Sequence, residues 1–477
     1  MRETKEHEIK LIAPTDFDSM EQLGEPLAAR SFTTTYYDTA ERALASAGVT
    51  LRRRLENGKN LWQLKVPGRG FRREIEVPGG PARPPRALSD ALLGLVRDKK
   101  LEQAAKLKTS RSRVAVKDDR RGRAEIVLDD VQVMDGNRVE ATFRELEVEL
   151  LDGDVALLRR VAKELRRRGA LVSDGRPKLF RALGFAPPPR PEVAAEAAPL
   201  LHVGAMLERQ RREMVAHDPG VRIGGDAEDV HAMRVAVRRS RAVLRTARPL
   251  LDSAVTEPLR DDLKWLADGL GAVRDLDVLL GHLSEQLADL PEEDRFAAER
   301  VLQVLSAERD IARAHLVEAL ESERYFDVLD RLAHVAAEPP ASGQEDGLAA
   351  LAARQFDRLR KAVGELSPDP SDDDLHAVRI RAKRARYAAE LAEARVGKPA
   401  SRFVSSVKDL QDVLGEHQDA VVAEARIHGA LGAARGTRVA FAAGRLAERE
   451  SRRRQQTRAA FSQTWRRVEK KGRRAWR

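Results

Sequence analysis

The chain contains no cysteine in 477 residues, which excludes disulfides and thiolate metal sites. Aromatic residues make up only 4%. Proteins that hold single-stranded nucleic acid stack bases on aromatic side chains, and few are on offer here. No apolar run approaches the roughly 20 residues needed to span a bilayer. The start, Met1-Arg-Glu-Thr-Lys-Glu-His-Glu8, is too polar for a secretory signal. A Walker A loop, a GxGxxG turn and a serine nucleophile elbow are missing too, so no motif supports nucleotide-cofactor or acyl chemistry. These absences predict a cytoplasmic protein without membrane contact and weigh against nucleic acid as its partner.

Positive charge is what the chain has in excess. Lys and Arg number 86 against 76 Asp and Glu, a formal net charge of +10. Such a balance favours a polyanionic partner. Hydrophobic residues reach 42% beside 34% charged, enough for real cores. The length predicts two or three compact units.

Texture divides the chain. Residues 1–185 show period-two segments separated by Asn57-Gly58 and Pro67-Gly68: 6–12, 49–55, 60–66, 71–77, 110–116, 123–129 and 142–150. Short strands with tight turns predict an antiparallel sheet or barrel, with helices at 88–99 and 155–168. Ala186-Pro-Pro-Pro-Arg-Pro191 opens an extended linker over 186–197. From 198 to 477 the reading is helical, interrupted at Asp218-Pro-Gly-Val221, Pro339-Pro-Ala-Ser-Gly343 and Ser367-Pro-Asp-Pro-Ser-Asp372. The fold class expected is α+β: a β tunnel with flanking helices, then an all-α bundle. The basic run from Arg452 to Lys471 reads as a solvated or frayed helix.

Alternate strand residues share a face. Glu6, Glu8 and Lys10 therefore point together, as do Arg52 with Arg54, Gln63 with Lys65 and Glu74 with Glu76. The same holds for Arg111 with Arg113, Glu125 with Asp129, and Glu145 with Glu147 and Glu149. One such strand has merely a solvated face. Seven of them suggest a sheet closed around a wet interior. Carboxylates there can hold Mg²⁺ or Mn²⁺ through oxygen, and Arg and Lys can clamp phosphate oxygens beside the metal. Such a cavity suits phosphoryl transfer to water.

In the helical part, His231, Arg234, Arg238, Arg241 and Arg245 fall within about 80° of arc on one helix. The pattern returns at His376, Arg379, Lys383 and Arg386, an offset of 145 (376 against 231). Lys264-Trp-Leu-Ala-Asp-Gly-Leu-Gly271 repeats as Lys408-Asp-Leu-Gln-Asp-Val-Leu-Gly415. An internal duplication is expected, with copies at about 198–340 and 348–477. Two long cationic faces without stacking aromatics suit a phosphate polymer better than nucleic acid.

Glu6-x-Glu8-x-Lys10 resembles the signature of the CYTH superfamily, the triphosphate tunnel metalloenzymes. Tyr36-Tyr-Asp-Thr39, Leu51-Arg-Arg-Arg54, Trp62-Gln-Leu-Lys65, Arg73-Glu-Ile-Glu76, Arg111-Ser-Arg113, Leu128-Asp129 and Glu147-Val-Glu149 extend the resemblance over about residues 3–184. It implies an eight-stranded antiparallel tunnel that hydrolyses triphosphates with Mg²⁺ or Mn²⁺. Glu6, Glu8 and Lys10 would be catalytic, and Glu6, Glu8, Asp129, Glu147 and Glu149 would supply metal ligands. Lys10, Arg52, Arg54, Lys65, Arg111, Arg113, Lys178 and Arg181 would bind the substrate. Glu145 shares the face of Glu147 and Glu149, leaving open which two of the three ligate. Pro177 stands where the family has Ser before Lys178.

Residues 198–477 resemble the CHAD domain, helical, duplicated and associated with inorganic polyphosphate. By that resemblance His231, Arg234, Arg238, Arg241 and Lys264 would bind polyphosphate in one copy, and His376, Arg379, Lys383, Arg386 and Lys408 in the other. Arg274 and Gln418 differ at equivalent positions. The expected function is an inorganic triphosphatase-type hydrolase with a polyphosphate-binding part, associated with polyphosphate granules. A non-catalytic polyphosphate binder, an adenylate cyclase-like enzyme and a nucleic-acid binder stay open as alternatives.

Overall fold

The computed structural model describes every residue except 16, 18, 19, 69, 188, 190, 345, 432–435 and 477. Part of the expected linker, residues 188 and 190, thus lies outside the described residues. The chain divides into two compact units, residues 1–189 with 215–225, and 190–214 with 226–477.

The first unit is built on ten strands. They are β1 (Arg2–Glu6), β2 (Glu8–Ile12), β3 (Glu25–Asp38), β4 (Thr50–Glu56) and β5 (Lys59–Pro67), followed by β6 (Arg72–Pro78), β7 (Glu102–Asp118), β8 (Gly122–Asp135), β9 (Arg138–Gly153) and β10 (Leu171–Val172). Short helices α1 (Ala43–Ser46), α2 (Arg86–Ala91), α3 (Leu93–Val96) and α5 (Lys178–Ala182) and the longer α4 (Val155–Arg167) flank them. The antiparallel order is β1-β6-β5-β4-β3-β7-β8-β9-β2-β10. This corrects the expected eight-stranded closed tunnel: the ladder has ten strands and is open. The physical reason is His7, which splits the N-terminal strand. Its first half pairs with β6, Glu6 opposite Arg72, and its second half with β9, Glu8 opposite Glu149. One residue therefore joins the β6 side of the ladder to its β9 side, and the sheet must roll to bring them together. Strand β3 was not recognised from alternation, and the helix expected at 88–99 is two short turns, α2 and α3.

The rolled sheet is apolar outside and charged inside. Leu51, Trp62, Leu64 and Ile75 are fully buried on the outer face under Leu88 and Leu92, with Val215 and Ile223 packed beside them. Val114, Ile126, Leu146 and Val148 bury the apolar stripe of α4, including Leu157 and Leu165. Each large side chain removed from water contributes about 1.5–3 kcal/mol. These outer cores let the inner face carry charge. At one end the inner face turns apolar, where Tyr36, Leu107, Val131 and Val133 pack on Leu179 and Phe180 of α5.

Residues 215–225 end the helix α6 (Pro199–Ile223), which runs through Pro219. The interruption expected at 218–221 is therefore absent. The segment carries the buried i,i+4 pair Asp218–Arg222 and is tied to β6 by the Gly224 carbonyl, which accepts from Arg73 at 2.6 Å.

The second unit continues with α7 (Ala227–Thr246), α8 (Ser253–Leu287), α9 (Glu292–Glu321) and α10 (Glu323–Ala337), then α11 (Leu348–Gly364), α12 (Asp372–Val396), α13 (Lys398–Ala430) and α14 (Thr437–Ala475). No described helix is long and apolar enough to cross a membrane. Ser371 and Asp374 close a capping box at the start of α12, with three Asp in its first turn. Contrary to the expected frayed tail, α14 is a packed helix of 39 residues. Its Leu446 and Ala443 sit in one core with Leu283 and Ile427, and its Phe461 and Val468 in another with Phe403 and Leu410.

Candidate active site and anion-binding surface

Cross-strand register decides which interior charges meet. Glu8 lies opposite Glu149, and Glu149 opposite Glu125, so three carboxylates stand in one row across β2, β9 and β8. Like charges directly opposite destabilise a sheet. Arg113 compensates Glu125, with Nε–Oε1 and Nη2–Oε2 at 2.5 and 2.8 Å. Glu8 has Lys10 only at 3.7 Å, and Glu149 has no ion-pair partner among the described residues. Burial, and then the Glu147 charge, push the Glu149 carboxyl up to about 7; burial likewise raises Glu8. Glu6 reaches the same place from β1, held by Lys65 Nζ at 2.8 and 2.6 Å. Glu6, Glu8 and Glu149 each offer an oxygen, all within 4.8 Å of one another. Three hard oxygen donors in an under-neutralised site fit Mg²⁺ or Mn²⁺.

Three further interior acids, Asp129, Glu145 and Glu147, are already neutralised. Lys178 Nζ lies 3.1 Å from Asp129, 2.7 Å from Glu145 and 2.9 Å from Glu147. Lys10 bonds Glu145 at 3.0 Å and also pairs with Glu147. Arg111 grips Asp129 through Nε and Nη2, both at 2.8 Å. Burial alone would raise Glu147 and Asp129, but the adjoining cations win: Lys10 and Lys178 hold Glu147 well below the carboxylate range, and Lys178 and Arg111 lower Asp129. Of the five expected metal ligands, the structure gathers Glu6, Glu8 and Glu149, and places Glu147 and Asp129 with Glu145 among the lysines.

A cationic wall faces these acids. Arg52 donates to Gln63 at 2.8 Å, Glu74 at 3.0 Å and the Tyr36 hydroxyl at 3.4 Å. Arg54 is beside it, 2.8 Å from Glu56. Lys178, first residue of α5, enters the interior behind Pro177, and Arg181 one turn later bonds the Ser173 hydroxyl at 3.1 Å. Sequence reasoning missed Glu74, Glu125, Tyr36 and Phe32 as site residues. Strand parity had already put both glutamates on the inner face; what was lacking was the register that gives them partners. The Tyr36-Tyr-Asp-Thr39 motif has a local role as well: Asp38 accepts the N–H groups of Thr39, Leu44 and Ala45 at 2.7, 2.9 and 3.0 Å, fixing α1.

In the second unit the two stripe helices, α7 and α12, meet. Arg238 Nε donates to the Tyr387 hydroxyl at 3.1 Å, and Arg239 lies 3.8 Å from Glu390. Arg234 and Arg238 thereby face Arg379, Lys383 and Arg386. Counter-charge is sparse: Arg234 has Asp275 at 3.2 Å and Arg386 has Glu390 at 3.3 Å. The Nε groups of Arg241 and Arg379 are buried without a hydrogen-bond acceptor among the described residues, and that of Arg386 has Glu390 nearby but not aligned. Burial, reinforced by Arg379, Arg238 and Arg234, pushes the Lys383 ammonium down to about 7. The histidines differ. His376 Nδ1 is 2.7 Å from Gln418, whereas His231 is held below its ordinary value by burial and then by Arg274. Lys264 and Lys408 are exposed on α8 and α13; Lys264 bonds Asp268 at 3.0 Å.

Known proteins share both parts. The CYTH domain model matches residues 4–174 and the CHAD domain model residues 205–428. The uncharacterized protein Rv2226 of Mycobacterium tuberculosis is 33% identical over 421 residues, 81% of this chain and 80% of that one. Among solved structures, PptA from Streptomyces chartreusis is similar at 26% identity and a TM-score of 0.48, over 57% of this chain and 100% of that one. The CHAD domain from the plant Ricinus communis is similar at 25% identity and a TM-score of 0.41, over 58% and 90%. The chain belongs to the family in which a CYTH domain is followed by a CHAD domain.

Proposed function

We propose that the rolled sheet hydrolyses inorganic triphosphate, or a related triphosphate or polyphosphate end, with Mg²⁺ or Mn²⁺, and that the helical unit binds polyphosphate. The observation that carries the enzymatic half is the Glu6–Glu8–Glu149 group, under-neutralised and beside a wall of arginines and lysines. A divalent ion held there would supply charge stabilisation at the transferred phosphate. Arg52, Arg54 and Arg111 would bind the phosphate oxygens, and Lys10 would fix Glu147 and Glu145 beside them. Water attacks the terminal phosphorus, the P–O anhydride bond breaks, and a carboxylate of the group takes the water proton. The test is phosphate release from tripolyphosphate with either metal, for wild type and Glu6→Ala. No release by wild type would reduce the unit to a phosphate holder. ATP, thiamine triphosphate and long-chain polyphosphate complete the panel.

For the helical unit, the orphaned guanidinium nitrogens on α7 and α12 support polyanion binding. We read the two stripes as duplicated halves of one polyphosphate surface, through which the protein would associate with polyphosphate granules. Competition of long-chain polyphosphate against DNA at fixed salt separates this from general electrostatics. Unchanged polyphosphate affinity in Arg234→Ala plus Arg379→Ala would refute it.

A further inference from the structure

Arg52, Arg54, Arg111 and Arg113 reach the charged interior from the strands, and one of them is held differently. Arg52, Arg111 and Arg113 each have aligned acceptors in Glu74, Asp129 and Glu125. Arg54 Nη2 lies 2.8 Å from Glu56, yet neither Nε nor Nη2 has an aligned acceptor among the described residues, and both are buried. Burial, with Arg111, Arg52 and Arg30 nearby, holds its pKa below the ordinary value although Glu56 opposes this. A buried guanidinium with idle donors should swing or withdraw unless something fixes its plane.

That support is Phe32. Its ring centroid is 3.8 Å from Arg54 Cζ and 5.4 Å from Arg111 Cζ. Register explains the placement. Thr34, two residues along β3, pairs with Arg54 of β4, while Phe32 itself pairs with Thr109 of β7, two residues before Arg111. One ring is thus diagonal to an arginine on each side. A phenyl face attracts a guanidinium without taking its N–H donors and without cancelling its charge, which a carboxylate would do.

We propose that Phe32 is a positioning residue for triphosphate: its ring orients Arg54 beside Arg111 and takes none of the Arg54 N–H donors, which a phosphate oxygen can then engage in competition with Glu56. Phe32, Arg54, Arg111 and Lys178 line one small cavity together with Asp129. This rests on the triphosphate reading of the same site.

The experiment is steady-state hydrolysis of tripolyphosphate, paired with calorimetric binding of tripolyphosphate without metal, for the full chain. Phe32→Leu and Phe32→Met remove the quadrupole and keep an apolar side chain. Each should raise KM and weaken metal-free binding roughly three- to thirtyfold, with kcat unchanged. Phe32→Tyr should restore both. In an Arg54→Ala background Phe32→Leu should add nothing further. An unchanged KM in Phe32→Leu and Phe32→Met, or an equal loss with Arg54 already removed, overturns the inference alone. A wild-type chain that neither binds nor hydrolyses tripolyphosphate overturns the triphosphate reading, and this inference with it.

Discussion

Lys383 makes polyphosphate binding by the helical unit a reporter of pH. The side chain is set on α12 facing Arg234 and Arg238 of α7 and Arg379 and Arg386 of its own helix, with Asp419 of α13 the acid that feels its charge. Burial and these arginines bring its pKa to about 7, from an ordinary 10.5, so near neutrality about half the molecules lack this charge. A polyanion laid across the stripe favours the charged form and moves the bound-state value back towards 10.5. Binding then takes up a proton at pH values between the free and bound pKa. The sign follows directly: affinity is greatest below about 7 and falls as pH rises, by up to about tenfold per unit, until the bound-state value is passed. Restoration by two units would give about a twenty-five-fold loss between pH 7 and pH 9, out of about a hundredfold over the whole transition. The guanidiniums stay charged throughout, and His231, held below its ordinary value, titrates under this window. The assay is calorimetric titration with long-chain polyphosphate from pH 6 to 9 at fixed ionic strength, in two buffers of different ionisation enthalpy to count protons. Lys383→Met should bind more weakly at pH 6 and show a flattened profile. A wild-type affinity flat from pH 7 to 9, or a Lys383→Met profile as steep as wild type, would refute the reasoning.

Glu8→Gln should weaken Mn²⁺ binding at least about tenfold in calorimetry and abolish phosphate release. Because it relieves repulsion in the Glu8–Glu149–Glu125 row, its metal-free melting temperature should match or exceed that of wild type; a lower one would contradict the reading of that row as under-neutralised. Arg73 is 1% exposed and bonds Glu3 Oε1 and the Gly224 carbonyl, both at 2.6 Å. Arg73→Met should cost about 2–3 kcal/mol in urea unfolding, since both partners lose a charged donor while Glu3 retains some water. Gly472→Ala would put a methyl 2.2 Å from the Phe356 ring in the core of α11 and α14. An overpacking loss of about 1–3 kcal/mol is expected from thermal melts.

Much of the interior was legible because strand parity is local. Once Glu145, Glu147 and Glu149 alternate with the buried Leu146 and Val148, their common face follows from the pleat alone. The stripes of α7 and α12 were legible for the same reason at a period of 3.6. Three things were not local. His7 interrupts a strand that reads as continuous, and only pairing with β6 and β9 reveals two halves. Pro219 reads as a helix break, yet the Asp218–Arg222 pair and its buried neighbours carry the helix past it. Phe32 looks like one more apolar residue until β4 and β7 bring arginines to its ring.

Register also changes what an interior full of acids means. Parity alone makes Glu145, Glu147, Glu149, Glu125, Asp129, Glu6 and Glu8 equivalent, and on that basis any of them could bind metal. Pairing separates them. Lys10, Lys178 and Arg111 are spent on Asp129, Glu145 and Glu147, and Arg113 on Glu125. Lys65 alone bonds Glu6, and Glu149 is left without an ion pair among the described residues. A buried carboxylate in that position must take a proton or a cation. Phosphate brought to the arginine wall would add more negative charge a short distance away, which disfavours the bare carboxylates further unless a divalent ion arrives with it. The electrostatics therefore couple the two ligands: metal and triphosphate should each bind more tightly in the presence of the other.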